Sequence, residues 1–277
     1  GADAIKFQTL KAEKLVTKQT PQWWLPKDKI EGTRQIDLYK DQDRFGFEEF
    51  KKISEYCKNL GITFLSTPFD EDSVDLLDQL GVPAFKVAST DLTNLPFLEY
   101  VAKKQKPMLI SAGMSFLDEI AESVEAIRST RNEQICLMHC IVEYPTPMNH
   151  ANLNFIKTLQ KEFPDYVIGF SDHTLGYVAD IVATAFGAKV IEKHFTFDKT
   201  IRGAPDHILS VDSKELSDLV KDVKSTEASL GSYERTILEY EKPAREFGRR
   251  KLVANTYILA NTVIERCMIT AKRNDEG

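Results

Sequence analysis

The chain has 277 residues, of which 42% are hydrophobic and 28% charged, and its formal net charge is −6. A chain of this length can form one large domain, with or without a small appended one. The lack of a basic excess argues against a nucleic-acid partner, and no apolar run approaches the roughly 20 residues that a membrane helix needs. The four cysteines lack paired spacing, which is typical of free thiols in a reducing compartment such as the cytoplasm: Cys57, Cys136, Cys140 and Cys267.

Short β-rich segments alternate with amphipathic segments along most of the chain. Seven strands are predicted, at Ala4–Gln8, Ile62–Ser66, Ala84–Ala88, Met108–Ser111, Ile135–Cys140, Tyr166–Phe170 and Lys189–His194. Helices are predicted at Phe47–Leu60, Glu71–Leu80, Pro96–Lys104, Phe116–Ser129, Leu153–Phe163 and Tyr177–Phe186. A last helix is predicted from a capping box at Asp212 and Glu215 to about Leu230. Strict alternation with short loops favours a parallel sheet, either open or closed into a barrel.

The start of the chain resembles the middle of a repeating pattern. The usual α/β barrel has eight strand–helix units, and Gly1–Ala4 resembles the end of a helix-to-strand turn. We therefore predict, over residues 1–231, a (β/α)8 TIM barrel whose first strand–helix unit is absent from this chain. The irregular segment Lys11–Arg44, which contains Trp23 and Trp24, is expected to fold over the barrel mouth as a loop.

The composition changes after the predicted barrel. Residues 232–250 are charged and are interpreted as a helix-poor linker. Residues 251–277 are interpreted as the opening of a second small domain, with two short strands on either side of Ala260–Asn261.

Two histidines, His173 and His194, end neighbouring predicted strands. The 20 residues between them contain a helix-length stretch, so the strands should be parallel with their C-terminal ends side by side. Neutral imidazole is a common ligand of transition metals, and the pair predicts an open metal site. Two unrelated histidines, one capping a loop and one in the core, would explain the pair equally well. His139 is expected to be a hydrogen-bonded core histidine.

Two lysines, Lys6 and Lys86, lie inside apolar predicted strands, where an unpaired charge is costly. In a barrel such residues point into the site at the C-terminal strand ends. They would form a pocket for a phosphate or carboxylate together with the hydroxyls of Ser66, Thr67, Ser89 and Ser171. The alternative is that the lysines face outward and pair with helix carboxylates. Four loop carboxylates are candidate ligand or substrate contacts, or solvated and capping groups: Asp91, Glu143, Asp172 and Asp206.

An ordered set of short motifs covers essentially the whole chain. Its members are Lys6–Thr9, Phe64–Asp70, Phe85–Ser89, His139–Cys140 with Glu143–Pro147, Gly169–Thr174, Glu192–Thr196 and Pro205–His207. The set resembles the sialic acid (N-acetylneuraminate) synthase family, which includes legionaminic and pseudaminic acid synthases. The resemblance implies a (β/α)8 barrel followed by a small antifreeze-like (SAF) domain. On that comparison the chain looks truncated at both ends, with residues 251–277 as the start of the SAF domain.

The resemblance also implies a chemistry. The family condenses phosphoenolpyruvate with an N-acylated amino-sugar aldehyde such as N-acetylmannosamine, forming a nine-carbon 2-keto sugar acid and releasing phosphate. His173 and His194 match its ligands for a divalent metal, usually Mn²⁺, with Mg²⁺ or Co²⁺ as alternatives. The metal would polarise the sugar aldehyde. The expected catalytic residues are Lys86, Asp91 and Asp206.

The same matching implies the substrate contacts, which are Lys6, Gln8, Thr67, Lys86, Ser89, Tyr144, Ser171, Asp206 and Arg273. It further implies a domain-swapped homodimer in which Arg273 of one chain meets the sugar's N-acyl group bound by the other. The chain departs from the family pattern at Val142, at Asp91 and at Arg202–Ala204. Two other hypotheses remain, namely another metal-dependent barrel aldolase or lyase, and a non-catalytic homologue that binds sugar or only dimerises.

Overall fold

The structure is a computed structural model that describes residues 1–25, 27–201 and 205–273. The departure at Arg202–Ala204 and the last four residues of the predicted second domain lie outside this part of the chain. The chain divides into two compact units, residues 1–230 and 231–277. In the described ranges, no helix is both long and apolar enough to cross a membrane.

The first unit alternates strands with helices in the predicted order. Its strands are β1 (Ala4–Thr9), β2 (Thr63–Pro68), β3 (Phe85–Val87), β4 (Met108–Ser111), β5 (Ile135–Cys140), β6 (Val167–Asp172) and β7 (Val190–Lys193). Its helices are α1 (Ala12–Leu15), α2 (Gln35–Gln42), α3 (Phe47–Asn59), α4 (Glu71–Gln79), α5 (Leu95–Ala102), α6 (Leu117–Ser129), α7 (Phe155–Glu162), α8 (Val178–Ala185) and α9 (Ser213–Leu230). All seven predicted strands are confirmed.

The strands are parallel throughout this unit. β1 pairs with β2, and β3 to β7 form a five-stranded sheet in chain order, with β2 lying beside β3. The Lys6 Nζ atom on β1 lies 3.8 Å from Glu192 Oε2 on β7. Because side chains of the first and last strands meet, the strands curve around a shared interior. The parallel α/β class is confirmed, and closure by an eighth strand–helix unit stays a prediction.

The core lies between the strands and the helices. Helix residues that face the strands are fully buried, among them Leu77, Leu98, Ile120, Ile127 and Ile156. Burial of one such side chain contributes about 1.5–3 kcal/mol. This layer fixes the backbone from which the polar side chains at the strand ends project.

The ends of the helices follow the sequence signals. At the start of α9, Asp212 Oδ1 accepts the Glu215 N–H at 2.9 Å, and Glu215 Oε2 accepts the Asp212 N–H at 3.0 Å. The capping box is therefore confirmed. Glycines, which are typical of the position just after a helix, follow α3, α4 and α8 with positive φ, at 70° for Gly61, 75° for Gly81 and 94° for Gly187.

The segment Lys11–Arg44 differs from its prediction as a loop, because it contains α1 and α2. These helices contribute few buried residues, namely Ala12 in α1 and Gln35 and Ile36 in α2. Leu10, Ala12 and Ile36 form a small apolar cluster of their own. Helices this short depend on such tertiary packing, so the hydrophobic pattern of the sequence did not reveal them.

The second unit contains α10 (Lys242–Phe247) and an antiparallel pair, β8 (Arg250–Ala254) and β9 (Ile269–Arg273). The two predicted short strands are therefore present. Helix α10 lies in the stretch interpreted as helix-poor, and it begins with a proline in its first turn, a position that proline favours. Assignment of this unit to an SAF domain stays a prediction.

Gly169 on β6 lies where the strands pack closely. It pairs with Val190 on β7, and a Cβ at this position would lie 2.9 Å from the Val190 carbonyl oxygen and 3.1 Å from Met138 Cγ. The carbonyl can move only if β7 moves. We expect Gly169→Ala to lower the free energy of unfolding by about 1–3 kcal/mol, as measured by urea denaturation.

Gly46→Ala is the matched control, since a Cβ there would meet only Glu49 Oε2, at 3.4 Å. We expect it to change the stability by less than about 0.5 kcal/mol. Equal stabilities of the two variants would contradict the packing argument.

Candidate active site

Glu192 on β7 lies at the centre of the polar cluster at the strand ends. Its Oε1 lies 3.8 Å from Lys86 Nζ and its Oε2 lies 3.8 Å from Lys6 Nζ. The Ser171 hydroxyl donates to Oε1 at 2.8 Å. Burial opposes ionisation of the carboxyl, but the two lysines outweigh it and hold the pKa of Glu192 at about 2. Glu192 is therefore the anion that holds two cations in the interior.

Lys86 is the more deeply buried of the two lysines, with a side chain only 3% exposed. Its ammonium donates to the Val87 carbonyl at 2.8 Å and to Ser111 Oγ at 2.6 Å. Burial lowers the pKa of Lys86, and the Glu192 charge opposes that shift. Lys6 donates to Thr67 Oγ1 at 3.2 Å. The alternative in which these lysines face outward and pair with helix carboxylates is wrong.

The two histidines are brought together by the register of β6 and β7. Ser171 pairs with Glu192 and Asp172 with Lys193, so His173 and His194 leave the sheet side by side. Their ring centroids are 5.2 Å apart. Because strand side chains alternate, both imidazoles project on the same side as Ser171 and Glu192. The alternative of two unrelated histidines is wrong.

Both imidazoles are neutral near pH 7. His173 Nδ1 lies 2.7 Å from the Ile141 carbonyl oxygen, so Nδ1 carries the proton and Nε2 keeps a free lone pair. Burial lowers the pKa of His173. Burial, followed by the neighbouring His173, lowers the pKa of His194 to about 3.

Neutral imidazoles with a free ring nitrogen suit a divalent transition metal. Within the part of the chain that the structure describes, no three His, Cys, Asp or Glu side chains form a metal-binding group. The described residues would therefore supply two imidazoles as metal ligands. The other coordination positions would stay open to water or substrate.

An aromatic wall stands beside the histidines. The Tyr144 ring centroid lies 4.2 Å from that of His173 and 6.2 Å from that of His194. Trp23, from the segment after β1, lies 6.0 Å from Tyr144 between ring centroids and is 43% exposed. The expectation that segment Lys11–Arg44 reaches over the strand ends is therefore confirmed.

Two of the predicted acids lie in the same region. Asp206 Oδ2 lies 3.8 Å from His194 Nδ1, and burial raises the pKa of Asp206. Burial also raises the pKa of Asp91, to about 6. After burial, the charges of Asp206 and Asp91 raise the pKa of Tyr39, so all three groups belong to one neighbourhood. An acid with a pKa near 6 suits proton transfer at neutral pH.

Three further predicted substrate contacts, Ser89, Gln8 and Arg273, stay predictions. The Ser89 hydroxyl accepts the Gly113 N–H at 3.0 Å. Gln8 is exposed to solvent. Arg273 ends β9 in the second unit.

Two further predictions concern buried side chains. His139 is 2% exposed and its Nε2 lies 2.8 Å from the Ala151 carbonyl oxygen, so its assignment to the core is confirmed. Asp172 was a candidate ligand or substrate contact, and this is wrong. Its side chain is 1% exposed and pairs with Lys193, because alternation along β6 turns it to the face opposite His173.

Strand alternation in the sequence puts Glu192 on the same face as His194, which points into the site, but its pairing with the two lysines was not predicted, and Ser111 was missed. A signal existed for Glu192, since it is the only carboxylate inside the seven predicted strands and two buried lysines needed an anion. Ser111 carries no comparable signal, because a serine at a strand end is common and its partner Lys86 is 25 residues away.

Comparison with known proteins identifies the family. The NeuB family profile matches residues 1–235, which include every strand-end residue described above except Arg273. An uncharacterised protein of Methanocaldococcus jannaschii is 42% identical over 277 residues, covering 100% of this chain and 77% of that protein. The N,N′-diacetyllegionaminic acid synthase of Legionella pneumophila is 37% identical over 271 residues, covering 96% of this chain and 75% of the synthase.

A solved structure agrees with the sequence comparison. The N-acetylneuraminic acid (sialic acid) synthetase of Leptospira borgpetersenii superposes with a TM-score of 0.77 at 31% identity, covering 89% of this chain and 80% of that one. The resemblance that the ordered motifs indicated is confirmed, and the chain belongs to the NeuB family of sugar-acid synthases.

Proposed function

We propose that this protein condenses phosphoenolpyruvate with an N-acylated amino-sugar aldehyde, forming a nine-carbon 2-keto sugar acid and releasing phosphate. One observation carries the proposal, namely that two interior lysines flank Glu192 and two neutral imidazoles lie side by side on the same face at the ends of parallel strands. The lysines supply charge for a phosphate and a carboxylate on one small molecule. An aldolase or lyase without phosphoenolpyruvate would not need that cationic pocket.

The phosphoenolpyruvate subsite would be formed by Lys6, Thr67 and Lys86 with the hydroxyls of Ser89 and Ser171. In the resting site Glu192 takes the place of the substrate's negative charge, 3.8 Å from each ammonium. The phosphate and carboxylate of phosphoenolpyruvate would engage the two ammonium groups. Gln8 and Ser89 stay predictions as contacts in this subsite.

The acceptor subsite would lie at the imidazoles. His173 and His194 would hold a divalent metal, with Mn²⁺ as the first choice and Mg²⁺ or Co²⁺ as alternatives. When bound, the metal would supply Lewis-acid polarisation of the sugar aldehyde. Tyr144 and Asp206 would orient the sugar, since both lie beside His194. Asp91, with a pKa of about 6, would exchange a proton with the reacting oxygen together with Asp206.

Three broader expectations belong to the same proposal. Cys57, Cys136 and Cys140 are buried free thiols, which suits a reducing compartment, and we expect the protein to act in the cytoplasm. The family resemblance supports a domain-swapped homodimer in which Arg273 contacts the acceptor. N-acetylmannosamine, its 6-phosphate and a dideoxy diacetamido sugar remain the candidate acceptors.

Phosphate release is the direct test. The protein would be incubated with phosphoenolpyruvate and each candidate acceptor, first with Mn²⁺ and then with a chelator. We expect release that requires both the acceptor and the metal, together with a new 2-keto acid detectable by mass spectrometry. A folded protein that releases no phosphate with any acylated amino sugar would overturn the proposal.

Trp23 provides a test of the acceptor side alone. Its indole forms the outer part of the aromatic wall against Tyr144 and is 43% exposed, so a bound sugar could cover it. We expect Trp23→Ala to raise the KM for the acceptor about three- to tenfold while leaving the KM for phosphoenolpyruvate unchanged. Trp23→Phe should recover most of the acceptor affinity. Equal increases in both KM values would contradict a role confined to the acceptor.

A further inference from the structure

A buried ion pair lies directly behind the two histidines. Lys193 Nζ, at the end of β7, lies 2.5 Å from Asp172 Oδ2 at the end of β6. Their side chains are 3% and 1% exposed, so the pair is withdrawn from water. Neither residue belongs to the substrate subsites, because both point to the face of the sheet opposite Ser171 and Glu192.

The pair is part of a hydrogen-bond network that contacts the residues immediately before and after His173. Lys193 also donates to the Thr174 carbonyl at 2.6 Å. The Asp172 carboxylate accepts the Thr174 N–H at 2.8 Å and the Thr174 hydroxyl at 3.0 Å. One ammonium therefore holds the residues on both sides of His173. The same lysine immediately precedes His194, so it links the two backbone positions that carry the imidazoles.

Other backbone contacts tie each histidine to a different segment, since His173 O accepts the Thr146 N–H and His194 O accepts the Val211 N–H, both at 2.8 Å. His173 is anchored through Nδ1 to Ile141, whereas the polar neighbour of His194 is Asp206, at 3.8 Å. Regular pairing of β6 with β7 ends at Asp172 and Lys193, one residue before each histidine. Among the described residues, the hydrogen bonds of Lys193 to Asp172 and Thr174 continue the connection between the two segments beyond that point.

The energetics of buried ion pairs indicate that Lys193 and Asp172 position other residues rather than stabilise the protein. Withdrawing two charges from water costs several kcal/mol per ion, and well-packed apolar side chains of similar volume often stabilise a core as well or better. A buried pair of this kind specifies a relative position, because it tolerates little displacement of either partner. Asp180 on α8 is also fully buried next to this pair, and burial, followed by the charge of Asp172, raises its pKa.

We propose that Lys193 and Asp172 are positioning residues that set the separation of His173 and His194 and thereby the affinity of the site for a divalent metal. This inference rests on the proposed function, since it assumes that the two imidazoles share one metal ion. It assigns the pair no contact with substrate or with the metal.

The test distinguishes an effect on the positions of the two histidines from an effect on the stability of the fold. In D172N/K193M both charges are removed, side-chain volumes are nearly kept, and the asparagine can still accept from Thr174. We expect a melting temperature within a few degrees of the wild type, since no charge is left uncompensated. The affinity for Mn²⁺, measured from free Mn²⁺ by electron paramagnetic resonance, should fall at least tenfold, while the KM for phosphoenolpyruvate stays unchanged.

The single variant D180N is the matched control. It alters a fully buried acid next to the ion pair and leaves both Asp172 and Lys193 in place. We expect wild-type affinity for Mn²⁺. If D172N/K193M unfolds early, D172N/K193Q, which also leaves no uncompensated charge, provides the same comparison at low temperature.

Two results would overturn the inference. Wild-type Mn²⁺ affinity in D172N/K193M would show that the ion pair does not position the imidazoles. A fall in Mn²⁺ affinity matched by an equal rise in the KM for phosphoenolpyruvate would show a general structural role instead. Failure of the proposed function looks different, because the wild-type protein would then bind Mn²⁺ no better than His173→Ala.

Discussion

His173→Ala is expected to abolish Mn²⁺ binding and to lower acceptor-dependent phosphate release about a thousandfold. The imidazole is neutral and held by Ile141 with its Nε2 atom free, and its partner His194 lies 5.2 Å away between ring centroids. With one of two protein ligands gone, the remaining imidazole cannot hold a metal at micromolar concentration. A loss of Lewis-acid stabilisation by several kcal/mol corresponds to a rate effect of this size.

The measurements are Mn²⁺ titration and phosphate release on the same preparation, with thermal unfolding as the check on folding. His150→Ala is the matched control, because His150 is an exposed histidine whose Nδ1 lies 2.9 Å from Glu143 Oε2. It should bind Mn²⁺ and turn over like the wild type. Undiminished metal-dependent release by His173→Ala would exclude the two-histidine site.

Lys86→Met is expected to raise the KM for phosphoenolpyruvate at least a hundredfold. Charge-assisted hydrogen bonds to a phosphate or carboxylate are strong, and loss of a buried ammonium removes about 2–3 kcal/mol of binding. The variant should also be less stable, because among the described residues Lys6 is then the one cation paired with Glu192. Breaking one side of a buried ion pair costs about 3–5 kcal/mol when no other partner exists.

Lys86→Met combined with Glu192→Gln separates these two effects. The double variant removes the carboxylate that has lost Lys86, and the Lys6 side chain is 25% exposed and can be solvated, so the melting temperature should recover toward the wild-type value. Its KM for phosphoenolpyruvate should stay high, because the ammonium is still missing. Recovery of both quantities together would mean that Lys86 serves only to neutralise Glu192. The KM for phosphoenolpyruvate and the melting temperature of the single and the double variant are compared with those of the wild type, by steady-state kinetics and thermal unfolding at one pH.

The sequence by itself determined the parallel strand–helix order, because hydrophobic periodicity and glycine at helix ends are local signals. It also located the polar residues at the strand ends, since a lysine or histidine at the end of an apolar run stands out without any structure. The ordered motifs then indicated the family. These features depend on residues that are close in the chain.

Only the tertiary structure decided which of those polar groups share a site. Glu192 became the central anion because β1 and β7 curve around one interior, which joins residues 186 positions apart in sequence. Asp172 lies outside the site because a single step along β6 reverses the face to which a side chain points. Short helices α1 and α2, and the contact of Trp23 with Tyr144, depend on packing between distant segments. Local patterns carry no information about such contacts, since their energy is gained only when the segments meet.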